Sequence, residues 1–319
     1  MPDYLVDNTS CGLRNLTNTC YANAAINAVA KLPRCRICFA NQRHCSTHQT
    51  HPPDCLLCAL AHDVATLTTL PANEPFRPQS VLRRASWNDA RSFDNFRQHD
   101  ANEAFQALMT ACDAVDLNAF RGLHSLPALR DHDPIAYTTP HWKIFGALTK
   151  ETKRCRSCPR VVENHALHAS FTVSVPEEGT PRIEDIFRDA MGQEDLDADA
   201  RCEHCQRSGC LFKETVLMRM PDVLVLRLKR WTYNAATHTW DKIPTKVCYE
   251  TLLPLSVDAI YDLRSVIVHH GAAGGGHYTS FVRAQDNRWY HCNDELTPEP
   301  CSTERALAAQ AYMLLYERR

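Results

Sequence analysis

GLRNLTNTCYANAAINAV, from Gly12 to Val29, decides how this chain is read. Its first half is a tight polar turn, Asn15 to Thr19, and its second half is alanine-rich, which predicts a helix running to about Leu32. Cys20 stands at the junction. Unpaired N–H groups and the macrodipole at a helix N-terminus stabilise an anion, and cysteines placed there fall from a free pKa of roughly 8.5 into a range of about 3.5–7.5. Cys20 is therefore expected to be a thiolate at neutral pH. Asn15, five positions upstream, is expected to fold its amide back over the sulfur as a donor to an oxyanion. The plain alternative is an inert cysteine capping a core helix, and the rest of the chain decides between the two.

A chain of 319 residues with 44% hydrophobic content is long enough for a large core, and its net charge of -2 leaves no basic stripe for nucleic acid. It contains no apolar run of the roughly 18 residues that a membrane helix needs, and its first ten residues, MPDYLVDNTS, are too polar for a signal peptide. An intracellular protein, cytoplasmic or nuclear, is the expectation. In a reducing compartment the 16 cysteines are not a disulfide framework, so paired C-x-x-C units become metal candidates.

Two regions carry such units. Pro33 to Cys58 holds five cysteines and three histidines in 26 residues, with knuckles at Cys35/Cys38 and Cys55/Cys58 and with His44, Cys45, His48 and His51 between them. Zinc takes four Cys or His ligands in a tetrahedron, and several ligand sets are open here. Further on, Cys155-Arg156-Ser157-Cys158 forms the tip of a predicted hairpin within Trp142–Ser170, and 43 residues separate it from Cys202-Glu203-His204-Cys205. Two knuckles flanked by strand-like runs read as a zinc ribbon. Ribbon halves are usually about 15–20 residues apart, so a helix over Ile183–Met191 and an acidic loop over Gly192–Ala200 are read as an insertion between them.

FRQHDANEAFQALMTACDAV, Phe96 to Val115, has apolar residues at helical spacing and acids at Asp100 and Glu103 in its first turn, where they can cap the helix. Leu60–Leu70 and a short segment from Val81 also read as helices. Val223 to Leu228 runs apolar as a core strand does, and Lys229 and Arg230 read as its solvated end.

The partner for Cys20 lies near the C-terminus. Four of the ten glycines fall between Gly271 and Gly276, in a loop joining strands Ser265–His270 and His277–Ala284. His277 follows that loop directly. An imidazole with a pKa near 6.5 is the natural general base for a cysteine. Asn293 follows 16 residues later at the end of a predicted strand, where a hairpin would bring it beside the ring to orient it, with Asp294 as the neighbour that could substitute.

These blocks, in this order, resemble the ubiquitin-specific proteases. The family's cysteine box, GLxNLGNTCYxNxxLQ, is matched at Gly12, Leu13, Asn15, Leu16, Asn18, Thr19, Cys20, Tyr21 and Asn23. Thr17 replaces its glycine, which strains the turn if a positive φ is needed there. The string around Asp100 is similar to the QQDAxEF box, with His99 for the second Gln. The histidine box, HxGxxxxGHYxxxxR followed by WYxxND, is matched across His269, Gly271, Gly276, His277, Tyr278, Arg283, Trp289, Tyr290, Asn293 and Asp294.

The resemblance implies an α+β, papain-like fold. Residues 1–319 would form one catalytic domain, with a helical thumb over about 1–140 and an antiparallel β palm with zinc-bearing β fingers over about 141–319. It implies Cys20 as nucleophile, His277 as base, Asn293 as orienting residue, Asp294 as supporter and Asn15 as oxyanion donor. Asp100 and Glu103 would face the arginine-bearing tail of ubiquitin, and Gly276 and Tyr278 would flank it. Zinc is expected at Cys155, Cys158, Cys202 and Cys205. A similar insertion in a family subset that includes nuclear histone deubiquitinases points to His44, Cys45, Cys55 and Cys58 for a second ion. The implied activity is hydrolysis after the C-terminal glycine of ubiquitin, with ubiquitin, polyubiquitin and ubiquitinated proteins as partners and targeting left to this surface or to an unseen partner. The alternatives are the same chemistry on a ubiquitin-like modifier, or a non-catalytic, zinc-dependent ubiquitin-binding module. The presence of both Cys20 and His277 argues against the second.

Overall fold

The computed structural model describes residues 11–41, 55–69, 75–83, 93, 97–124, 139–272 and 275–319. Helices come first: α1 (Cys20–Ala30), α2 (Pro33–Asn41), α3 (Leu56–Thr69), α4 (Gln79–Leu82), α5 (Ala101–His124) and α6 (Pro140–Phe145). Every residue of α1 is buried. Its alanines have little side chain beyond Cβ, so neighbouring helices and the sheet can approach closely on all sides. The expected strand around Trp142 is instead α6, which starts where Thr139 accepts a hydrogen bond from the Trp142 N–H (3.4 Å) and Pro140 occupies the first turn.

Strands β1 (Ala147–Cys155), β2 (Val161–His168), β4 (Gln193–Asp195) and β5 (Leu211–Arg219) form a four-stranded sheet in the order β2-β1-β5-β4. The presumed acidic loop after α7 (Ile183–Ala190) therefore contains β4, which pairs with β5.

The larger sheet has eight strands. β3 (Phe171–Ser174), β6 (Val223–Lys229), β9 (Leu252–Ser256), β10 (Ala259–Ala272), β11 (Gly275–Arg283), β12 (Trp289–Cys292), β13 (Glu299–Cys301) and β14 (Ala311–Arg318) are ordered β13-β12-β11-β10-β14-β6-β3, with β9 paired to β10. All pairs are antiparallel except β3 with β6. A small hairpin, β7 (Trp231–Asn234) with β8 (Thr239–Lys242), stands apart, and α8 (Thr303–Leu307) precedes β14.

The central strands are buried on both faces, and their alternation divides the core in two. Val223, Val225, Ile267, Met313 and Leu315 pack on the α1 side, while Leu224, Leu226, Val266, Val268, Leu314 and Tyr316 pack on the other. That explains the unbroken apolar run in β6.

Arg230 is not a solvated strand end. It is 1% exposed and donates to the carbonyls of Ala311 (2.6 Å), Ile243 (3.3 Å) and Thr245 (2.9 Å), which ties the end of β6 to two other segments. Burial lowers its pKa to about 10.

Candidate active site

The Cys20 turn is wired by its own side chains. The Thr19 N–H donates to Asn15 Oδ1 (2.9 Å) and the Leu16 N–H to Thr19 Oγ1 (2.8 Å), which sets Cys20 as the first residue of α1. Thr17 and Asn18 make the turn with φ of 69° and 56°. The positive φ at the position where the family has glycine is therefore present, and a β-branched residue carries it.

The same turn is stitched to the far end of the chain. Asp294 accepts from Asn15 Nδ2 (2.7 Å) and from Asn23 Nδ2 (2.8 Å), and its carbonyl accepts from the Leu13 N–H (2.7 Å). A Cβ on Gly12 would lie 2.5 Å from the backbone of Glu295, so only glycine permits this approach. One N–H of the Asn15 amide is thus given to Asp294.

His277 lies on β11, and its Nε2 is 2.7 Å from Asn293 Oδ1, just beyond β12. An amide oxygen can only accept, so Nε2 carries the proton and Nδ1 is left as the basic nitrogen. β11 also reaches Cys20, because the backbone N–H of Tyr278, the residue after His277, hydrogen-bonds the sulfur. A sulfur, an imidazole, an amide and a carboxylate are thereby gathered from residues 20, 277, 293 and 294.

Cys20 is not poised as a thiolate in this state. Burial raises its pKa, and the Asp294 carboxylate adds to the effect. The N–H groups of Tyr278, Tyr21 and Cys20 itself pull the other way but do not win. At 3% exposure the sulfur loses more from desolvation than the open helix end returns, which overturns the expectation drawn from position alone.

Beside the site runs a cleft of about 560 Å³ between the start of α5 and the glycine hairpin, with Gln98, Asp100, Glu103, Gly275, Tyr278 and Tyr312 among its walls. Asp100 is the cap of α5: its Oδ1 accepts from the N–H groups of Asn102 (2.8 Å) and Glu103 (3.1 Å). Its Oδ2 accepts from the Tyr312 hydroxyl and from Arg227 Nη2 (3.3 Å), so all of this carboxylate is in use. Glu103 is the exposed acid of the pair. Its pKa is raised, first by partial burial and then by Asp100.

Gln98 is a residue that sequence reasoning passed over. Its Oε1 accepts from the Gly276 N–H (2.7 Å) and so bridges the two walls of the cleft. Gly276 has no room for a side chain, since a Cβ would lie 2.3 Å from both His269 Nε2 and the His270 carbonyl.

At the far end of the smaller sheet the sulfurs of Cys155, Cys158, Cys202 and Cys205 lie within 4.8 Å of one another. Two of the spacings, Cys155–Cys205 and Cys158–Cys202, are 3.7 Å. Tetrahedral zinc with bonds of about 2.3 Å sets its sulfurs roughly 3.8 Å apart, so the donor set and its size fit that ion. Cys210, unremarked in the sequence, adds a fifth sulfur 3.4 Å from Cys155. Of the second proposed ligand set, His44 and Cys45 lie outside the described residues; Cys55 stands just before α3, while Cys58, in its first turn, is disulfide-bonded and so offers no thiolate to a metal. Among the described residues no helix is long and apolar enough to cross a membrane.

A cysteine at a helix N-terminus, met by a strand that carries a histidine paired to an asparagine, is the arrangement of a papain-like thiol hydrolase. The family model described as "Ubiquitin carboxyl-terminal hydrolase" matches residues 11–316, and the chain belongs to that family, the ubiquitin-specific proteases. It is 26% identical over 318 residues to human "Ubiquitin carboxyl-terminal hydrolase 42", covering 96% of this chain and 23% of that protein. It is 26% identical over 324 residues to "Probable ubiquitin carboxyl-terminal hydrolase 16" of Schizosaccharomyces pombe, covering 97% of this chain and 66% of that one. The chain thus spans less than two thirds of the length of these curated relatives. Its fold is similar to that of Ubp8 in the SAGA DUB module bound to ubiquitin aldehyde, with a TM-score of 0.81, 20% identity, and coverage of 99% of this chain and 70% of that one.

Proposed function

We propose that this chain is a thiol-dependent deubiquitinase that hydrolyses the isopeptide or peptide bond after the C-terminal glycine of ubiquitin. The observation that carries the reading is the Asp294 stitch, which holds the Cys20 turn against the strand end bearing Asn293 and hence His277.

In this mechanism His277 Nδ1 takes the proton of Cys20, and Asn293 holds the imidazolium through Nε2–H. Cys20 rests as the neutral thiol, so the charged pair forms only as His277 takes the proton, and the sulfur is shielded from side reactions until then. The thiolate attacks the glycine carbonyl. The developing oxyanion is met by the N–H groups at the open end of α1 and by the second N–H of the Asn15 amide, whose first is given to Asp294. His277 protonates the departing lysine amine, and water cleaves the thioester.

The cleft beside α5 would take the ubiquitin tail. Gly275 in its wall, with no side chain, lets an extended backbone approach closely, which suits a diglycine end. With Asp100 occupied by Tyr312 and Arg227, Glu103 is the acid open to a tail arginine. The helices before residue 140 would act as thumb and the two sheets as palm and fingers. The fingertip thiols would hold a structural zinc that ties β1 to the turn after β4. Ubp8 has been solved together with Sgf11, Sus1 and Sgf73 as well as with ubiquitin, and a separate targeting partner for this chain is part of the proposal.

Hydrolysis of fluorogenic C-terminal conjugates of ubiquitin and of ubiquitin-like modifiers tests it. Turnover of the ubiquitin conjugate that is lost in His277→Ala and in Cys20→Ala supports the reading. Preference for another modifier would move the substrate, and binding without turnover by the unaltered chain would leave only a binding module.

A further inference from the structure

The knuckle Cys35/Cys38 finds its counterpart on elements far along the chain. A small cavity of about 20 Å³ is lined by Cys35 and Cys38 of α2, Cys112 and Asp113 of α5, and His141 of α6. That is room for one atom, since a site needs roughly 10–15 Å³ to hold a water molecule.

His141 gives the cavity its meaning. Its side chain is 6% exposed, and its Nδ1 is hydrogen-bonded to Asp113 Oδ2, whose side chain is equally buried. A carboxylate bonded to Nδ1 holds the proton there and leaves Nε2 as a bare lone pair on the opposite side of the ring. Nε2 is fully buried and has no hydrogen-bond partner among the described residues. A buried acceptor that nothing meets is destabilising, so this lone pair calls for a partner. A carboxylate that orients a histidine through one nitrogen while the other binds metal is the usual outer support of a zinc ligand. Three thiols around such an imidazole form a soft N/S donor set, which selects zinc over the hard divalent ions.

We propose that Cys35, Cys38, Cys112 and His141 form a structural zinc site in the helical layer, with Asp113 holding His141 in its ligating tautomer. Cys35 and Cys38 lie one turn apart on α2, so both can reach one ion, while Cys112 and His141 come from α5 and α6. The ion would clamp these three helices together. Among the described residues only the fingertip thiols have all their donor atoms within 4.8 Å of one another. Zinc must therefore draw the helical donors inward, through rotation of the Cys38 and Cys112 side chains, and it should leave this site before it leaves the fingertip. The site shares no ligand with the Cys55/Cys58 set, so the two assignments can be separated.

Zinc content of the full chain, purified without chelator and measured by mass spectrometry, should fall by one equivalent in His141→Gln and in Cys35→Ser. Both variants should keep the fingertip equivalent, which Cys155→Ser removes. Asp113→Asn retains all four donors and should weaken zinc binding roughly 10–100-fold in competition with a chromophoric chelator. Unchanged zinc content in both His141→Gln and Cys35→Ser overturns the proposal. If those variants fail to fold, alkylation of the unaltered chain decides: Cys38 and Cys112 should become reactive when chelator removes the more labile zinc, and equal labelling with and without chelator refutes the site.

Discussion

Replacing Asp294 by asparagine should separate the stitch from the charge. The carboxylate accepts from Asn15 Nδ2 at 2.7 Å and Asn23 Nδ2 at 2.8 Å. Asparagine keeps one acceptor oxygen and turns the other position into an amine facing an amine. Neither partner can relieve this by flipping, because Asn15 Oδ1 already holds the Thr19 N–H and Asn23 Nδ2 also donates to the carbonyls of Leu13 and Arg14. The Asn15 contact is exposed and the Asn23 contact more buried, so the new amine should settle toward Asn15. The loss is then about 1–2 kcal/mol, between the values for neutral and charge-assisted bonds. At roughly 2–4 °C per kcal/mol for a large domain, Tm should fall by about 2–8 °C. The same substitution removes a negative charge that raises the Cys20 pKa. The alkylation rate of Cys20 against pH should therefore shift its midpoint downward. An unchanged Tm, or a midpoint that moves upward, would refute the reasoning.

Thr17→Gly should stabilise the protein by up to about 1.5 kcal/mol. It removes a left-handed threonine that costs roughly 1–2 kcal/mol and adds glycine's unfolded-state entropy of about 0.5–1 kcal/mol; a lower Tm contradicts this. Gly276→Ala should displace the start of β11 and with it His277, lowering turnover on the order of 100-fold by misplacement alone, and near-normal kcat/KM would show that the hairpin yields. His269 has its pKa lowered by burial from 6.5 to about 4, so its neutral form stabilises the fold above about 6.5 and that contribution is lost as pH falls toward 4. His269→Gln should flatten the Tm-versus-pH profile in that window, and an identical slope would count against it. Serine at Cys155 and Cys202 together should release zinc and lower Tm, and an unaltered melting curve would speak against a structural fingertip ion.

Much of this was legible in the sequence because it rests on local spacing. The Cys20 turn, the glycine hairpin before His277, the return of Asn293 sixteen residues later and the two C-x-x-C bends are short-range patterns, and each forms as its spacing implies. What escaped depends on distant neighbours. The Cys20 pKa is set by how deeply α1 is buried and by a carboxylate 274 positions away, so helix position alone misjudged it. Arg230 looked solvated because nothing local shows that three carbonyls from other segments surround it. Gln98 opens a box whose acids drew the attention, and only the fold brings it to Gly276. His141 and Asp113 are 28 positions apart and unremarkable until α5 and α6 pack together. The Trp142 segment was misread for a local reason: the start signal of Thr139 and Pro140 was there to be used.

The most direct measurement is covalent capture by ubiquitin bearing a C-terminal electrophile, followed by mapping of the modified residue. A one-to-one adduct on Cys20, absent in Cys20→Ala and slowed in His277→Ala, is the expected result. No adduct on the intact chain, or one that persists in Cys20→Ala, would contradict the claim that this sulfur, served by this imidazole, is what meets the tail of ubiquitin.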